Sequence, residues 1–230
     1  MPRDLLSQDY HSGHRRRLRE RFLKSGPETI QDYELLELVL FQARPRGDVK
    51  PLAKCLLERF GSFAETISAP AEDLMKIRGV GESTAITLKS VRAAAIRLMQ
   101  EGVRERAVVS SWDQLIAYCR AAMGFSKREQ FRVLFLDKKN RIIADEVLQE
   151  GTIDHTPVYP REVVARALDH GATALILVHN HPSGDTTPSK ADIDMTEQIR
   201  QAASTLGIVL HDHIIVGRAA HTSFKARGLL

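Results

Sequence analysis

The sequence predicts a molecule in two parts, an all-helical domain over residues 1–104 followed by an α/β domain over 108–230. Three observations predict it. Apolar residues recur with helical spacing from Leu18 to about Glu101, strand-like runs alternate with helical ones beyond that, and charge is unevenly shared between the halves. Residues 1–110 hold 19 Lys and Arg against 15 Asp and Glu, whereas 111–230 hold 14 of each sign. A basic half joined to a neutral one points to a polyanion partner for the first and chemistry in the second; a solvated helix face is the bland alternative.

In the first half, Leu35, Leu36, Leu38, Val39 and Leu40 follow a cap at Asp32. Leu52, Ala53, Leu56, Leu57 and Phe60 follow Pro51 and stop at Gly61, and Leu88, Val91, Ala95 and Leu98 form a third stripe ending near Gly102. Short Gly, Pro and Ser clusters separate these helices. The period changes at VRERAVVSS, residues 103–111. A helix around Trp112 to Met123 precedes FRVLFLD and RIIADEVLQEG, two strands joined by a turn at Lys138-Lys139-Asn140. A helix from Pro160 to His170, a buried strand ALILVH, a helix from Ser189 to Leu206 and a strand IVLHDHIIVG complete the α/β pattern.

Composition excludes several classes. The longest apolar run, Ala174 to Val178, is far short of the roughly 18 residues of a membrane span. The charged N-terminus has no apolar signal-peptide core. Cys55 and Cys119 are far apart and form no Cys-x-x-Cys pair, against a disulfide scaffold, thiolate zinc finger or iron–sulfur site. A cytoplasmic protein is expected.

The chemistry is concentrated in ALILVHNHPSGDTTPSKAD. His179 and His181 stand two apart at the end of a strand, so alternation puts both imidazoles on one face. Asp192 follows in the first turn of the next helix. Two nitrogen donors and one carboxylate, with room for water, are the ligand set of a catalytic zinc site; a closed structural site wants a fourth side chain, usually cysteine. The dull alternative is capping, because Thr187-Pro188 and Ser189-x-x-Asp192 fit a helix start. Chance would supply His-x-His-x10-Asp only about 0.02 times in such a chain.

HNHPSGDTTPSKAD resembles the JAMM (MPN+) metallopeptidase signature at all four defined positions, His179, His181, Ser189 and Asp192. With GTIDHTPVYPREVVARAL, LGIVLHDHIIVG and TSFKARGLL around it, the chain resembles the bacterial RadC family, also called UPF0758, over essentially its whole length. The resemblance implies a layered, cytidine-deaminase-like sheet with helices, one Zn2+ on His179, His181 and Asp192, and water as fourth ligand. It also implies an upstream glutamate as general base and Ser189 as hydrogen-bond donor to the oxyanion. Glu146 and Glu150 are the candidates for the base; strand alternation puts them on one face, and the resemblance favours Glu146, which lies five residues before Gly151, where the family pattern places its acid. His211-Asp212-His213 is read as support for the site rather than as ligands. No His-Glu-x-x-His helix and no zinc deaminase signature occurs, and contiguous His-Asn-His does not make an HNH nuclease.

LMKIRGVGESTA resembles a helix-hairpin-helix, with Gly79-Val80-Gly81 as the hairpin. Backbone amides at Gly79 and Gly81, with Lys76, Arg78 and Lys89 beside them, would suit phosphate in weak, non-specific DNA contact. FGSFAET resembles a degenerate first hairpin. The expected activity is zinc-dependent hydrolysis of a peptide or isopeptide bond in a protein substrate, with Glu146 activating water. The alternatives are a DNA-processing enzyme and a non-catalytic zinc-containing DNA-binding or scaffold protein. Residues 183–187 and 154–159 are expected to border the cleft.

Overall fold

The computed structural model describes residues 5–104, 107–151 and 158–230, except the side chains of 5–12 and of Val109. Residues 154–157 of the expected cleft border lie outside that range. The chain divides into two compact units, Met1–Ala95 and Ile96–Leu230. The division falls inside a helix, earlier than the change of period at 103–111.

The first unit is built from α1 (Leu5–Ser25), α2 (Asp32–Ala43), α3 (Lys50–Phe60), α4 (Phe63–Ser68), α5 (Ala71–Met75) and the start of α6 (Glu82–Arg104). Leu36, Leu40, Leu56, Leu74 and Leu88 are wholly buried in one apolar cluster, each contributed by the inward stripe of its helix. The residue before α2 is Gln31, not Asp32, and its backbone N–H donates to Glu34 Oε2 at 3.2 Å. A carboxylate one turn into the helix satisfies that amide better than Asp32, which is already helical. Gly61 ends α3 at φ 103°, in the left-handed region that a side chain resists.

The second unit continues α6 and adds α7 (Trp112–Met123), β1 (Glu129–Leu136), β2 (Ile142–Gly151), α8 (Pro160–Asp169), β3 (Ala174–Asn180), α9 (Lys190–Ser204), β4 (Val209–Val216) and β5 (His221–Ser223). The strands form one mixed sheet in the order β2-β1-β3-β4-β5, with only β3 and β4 parallel. Central β3 is buried along its whole length, which is why ALILVH reads as an unbroken apolar run rather than an alternating one. Leu134, Ile176 and Val178 point to the α7 side, in a cluster with Leu115 and Met123. Phe131, Val133 and Leu177 point to the other side, in a cluster with Val163 of α8 and Ile199 of α9. The short edge strand β5 carries no apolar run of its own and was not foreseen; it is placed by pairing with β4.

Two irregularities decide what faces the site. Between β1 and β2 the pairing passes from Phe131↔Gln149 to Arg132↔Val147, leaving Leu148 as an extra residue. Between β3 and β4 it passes from Leu175↔Leu210 to Ile176↔Asp212, leaving His211 extra. Each bulge inverts the alternation beyond it.

Candidate metal centre

The site lies where β3 runs out and α9 begins. His179, on the face of Phe131, is buried, and His181 follows two residues later at the strand's end. Their Nε2 atoms are 2.9 Å apart. Asp192, in the first turn of α9, brings Oδ1 to 3.3 Å from His179 Nε2 and Oδ2 to 3.6 Å from His181 Nε2. The three residues singled out by spacing therefore converge. Among the described residues a further carboxylate joins them: Glu129, at the start of β1, has a carboxylate oxygen within 4.8 Å of ring nitrogens of both His179 and His181.

The donor set fits a divalent cation. His181 Nδ1 donates to the Asp185 carbonyl at 2.6 Å, since a carbonyl only accepts. That leaves Nε2 as the atom facing the site. Burial pushes the His179 imidazole down to about 4, so it is neutral near pH 7. Hydrogen bonding to Asp192 raises His181 against the pull of its burial. Asp192 is held well below the usual carboxylate range: burial opposes its ionisation, but hydrogen bonds from His181 and Ser189 outweigh it. Two imidazole lone pairs and a carboxylate aimed at one point repel unless a proton or metal ion lies among them.

Ser189 is the residue before α9, and capping describes its contacts. Its hydroxyl donates to Asp192 Oδ2 at 2.7 Å and accepts from the Asp192 amide at 3.1 Å, while its own amide donates to the same carboxylate. Donation to an oxyanion would require this exposed hydroxyl to turn away from Asp192.

Glu146, the favoured general base, is not brought to the imidazoles. It sits opposite Val133, and its carboxylate is gripped by Arg166 and by His170 Nε2 at 2.7 Å, both at the α8 end of the sheet face. The Arg166 hydrogen bonds hold it at about 2, the opposite of what a base poised near neutrality needs. Glu150 fails for a different reason. The Leu148 bulge sets it opposite Gln130, on the alternate face from Glu146, so the expected shared face does not exist.

Glu129 was missed because its only sequence signal is parity with Phe131, one residue pair into the strand. The antiparallel register that pairs Phe131 with His179 sets Glu129 opposite His181. Asn180, between the two histidines, locks that register. Its wholly buried side chain accepts from the Gln130 amide at 2.8 Å and donates to the Arg128 carbonyl at 3.0 Å, the backbone groups on either side of Glu129. The loop that returns to α9 is held close by Gly217, where an added Cβ would lie 2.8 Å from the Gly184 carbonyl. His211 turns to Asn140 Oδ1 at 2.7 Å, away from the imidazoles, whereas His213 touches His179 at 2.8 Å.

The hairpin residues are differently disposed. Gly79 has φ 94° and its carbonyl accepts from Arg44 Nη1 at 3.0 Å. Lys76 pairs with Asp73 at 2.8 Å. Lys89 is not a surface cation, contrary to its expected role: its Nζ donates to the carbonyls of Ile67, Ser68 and Ala69 at the end of α4, and burial lowers it to about 8. Arg78 and Gly81 remain at the tip.

A mixed sheet carrying two imidazoles and two carboxylates at one strand end fits an α/β domain of the JAB/MPN-like class, in which metal binding is typical. Residues 109–229 match the RadC-like JAB domain family and residues 11–86 match the UPF0758 N-terminal family. A UPF0758 protein of Rhodobacter capsulatus is 60% identical over 213 residues, covering 93% of this chain and 100% of that one. Another from Ruegeria pomeroyi is 55% identical over 221 residues, covering 96% and 99%. The chain belongs to the UPF0758 (RadC-like) family.

Proposed function

We propose that the protein is a zinc-dependent hydrolase of the JAMM type that cleaves a peptide or isopeptide bond, with Glu129 in the role that the family resemblance gave to Glu146. The observation that carries this reading is the convergence of a ring nitrogen of His179, a ring nitrogen of His181 and a Glu129 carboxylate oxygen, within 4.8 Å of one another, beside Asp192. His179, His181 and Asp192 would hold the ion; a set of two imidazoles and a carboxylate with open positions suits zinc. Bound there, zinc would polarise a scissile carbonyl and acidify the attacking water.

The remaining work falls to the chain. Glu129 takes the proton of the attacking water and returns it to the leaving amine. Asn180 keeps that carboxylate in place by holding the backbone on both sides of it. Ser189, at the rim, is the donor offered to the developing oxyanion, a contact whose loss typically costs about 2.7–4 kcal/mol of barrier.

Metal analysis of the purified protein should give one zinc per chain, lost in His179→Ala and in Asp192→Ala. Full zinc in both variants would remove the reading. Glu129→Gln should keep the metal and lose turnover, which makes it the variant for trapping a bound protein substrate for mass spectrometry.

A further inference from the structure

We propose that Thr196 and His213 form a positioning relay that fixes the ring of His179 with its proton on Nδ1, so that the bare Nε2 faces the cation site. The inference rests on the metallohydrolase reading and extends it to two residues outside the ligand set.

The proton positions follow from counting donors. Thr196 has one hydroxyl proton, and it goes to the backbone carbonyl of Asp192 at 2.5 Å, which can only accept. Thr196 Oγ1 also lies 2.6 Å from His213 Nδ1. With its proton already committed, the hydroxyl must accept there, so His213 carries a proton on Nδ1. Both His213 ring nitrogens are engaged, Nδ1 by Thr196 and Nε2 by His179 Nδ1 at 2.8 Å. The ring is wholly buried, with Phe224 stacked 4.5 Å away and the edge contact of Phe131 at 6.0 Å. A second proton on it would be an unpaired charge among aromatic rings, so Nε2 is an acceptor. His179 Nδ1 is then the donor, and Nε2 is left with its lone pair aimed at His181 and Asp192.

The relay and the Asp185 carbonyl do the same work on the two histidines. Each anchors an Nδ1–H and presents an Nε2. Thr196 does more, because its acceptor is the backbone of Asp192. One hydroxyl thereby ties the buried imidazole and the carboxylate to the same turn of α9. Sequence spacing gives no hint of this. Thr196 and Asp192 are four apart on a helix, and His213 enters only through the parallel pairing of Leu177 with His213.

The test measures zinc affinity by competition with a chromophoric chelator, with thermal unfolding as the control for folding. Thr196→Val should weaken zinc about 10-fold, the low end of the loss when a ligand's outer hydrogen-bond partner is removed, because Thr196 acts on His179 through His213, and Thr196→Ser should restore it. Equal affinity in wild type and Thr196→Val would overturn the relay. Long-range proton–nitrogen NMR of the histidine rings in the metal-free wild-type protein decides the same point without any variant. Protons on Nδ1 of both His179 and His213 support the relay, and a proton on His179 Nε2 overturns it. Failure of the wild-type protein to bind zinc would count against the hydrolase reading alone, because the ring tautomers are read without metal.

Discussion

Asn180 is the residue whose loss should separate chemistry from metal binding. Its side chain serves as a rung of the sheet between β3 and β1, and removing it leaves the Gln130 amide without that acceptor and the Arg128 carbonyl with the Ser126 hydroxyl as donor. Buried amide hydrogen bonds of this kind contribute about 1 kcal/mol each, more when the partner is left unsatisfied. Asn180→Ala should therefore cost about 1–3 kcal/mol in denaturant unfolding and lower kcat while leaving zinc content at one per chain. Wild-type kcat in the variant would show that Glu129 needs no such clamp. The residue scale also explains what spacing revealed. His179, His181 and Asp192 are local in sequence, joined by one strand end and one helix start, so periodicity alone brought them together. Glu129 is 50 positions from His179, and only a long-range antiparallel register unites them. The identity of the Asn between the histidines was visible, but its use as a backbone clamp was not, because its partners belong to another strand.

Elements are fastened by two adjacent acids of β2, one of them the favoured base Glu146. β2 sends Asp145 to Tyr118 of α7 and to Arg132, and Glu146 to Arg166 of α8. Adjacent residues on a strand point to opposite faces, so this pair of carboxylates secures a helix on each side of the sheet. Glu146→Gln is thus expected to keep both metal and turnover and to lose only a little stability near pH 7, since Arg166 is half-exposed and water screens the pair. The pH dependence has a definite sign. The folded Glu146 is held at about 2, below its ordinary 4.5, so its stabilisation is complete above pH 4.5 and fades as the pH falls toward 2. The gap in unfolding temperature between wild type and variant should close across that window. A Glu146→Gln enzyme without turnover would return the glutamate to the chemistry. Element identity was legible in period and punctuation for α2, α3, α6 to α9 and the long strands, which have their own apolar patterns, whereas α1 was read only from Leu18 and the short α4 and α5 were not singled out. What period cannot register is a bulge: one extra residue at Leu148 changes which face Glu150 occupies without altering a single letter of the pattern.

At the scale of the whole molecule, part of the positive charge in the first half is engaged within that half. Arg15 lies over the ring of Phe41 and donates to the carbonyls of Arg44 and Gly47. Arg21 pairs with Glu34, Arg44 reaches Gly79, Lys76 pairs with Asp73, and Lys89 closes the end of α4. A charge run that reads as an invitation to a polyanion is in part a set of fastenings between short helices, which composition cannot distinguish. DNA contact through the hairpin would then depend on Arg78 and the amides of Gly79 and Gly81, since the Val80 amide donates to the Ile77 carbonyl. With so few phosphates neutralised, log affinity for duplex DNA should fall with log salt at a slope of about −1 to −2, since each phosphate contact contributes about −0.9. Arg78→Ala should flatten that slope by about 1. Lys89→Met should leave the slope unchanged and lower thermal stability instead, because three carbonyls lose their donor. A slope of about −5 in fluorescence anisotropy would require a broad basic face, and the internal pairing of these cations leaves too few at the hairpin to supply one.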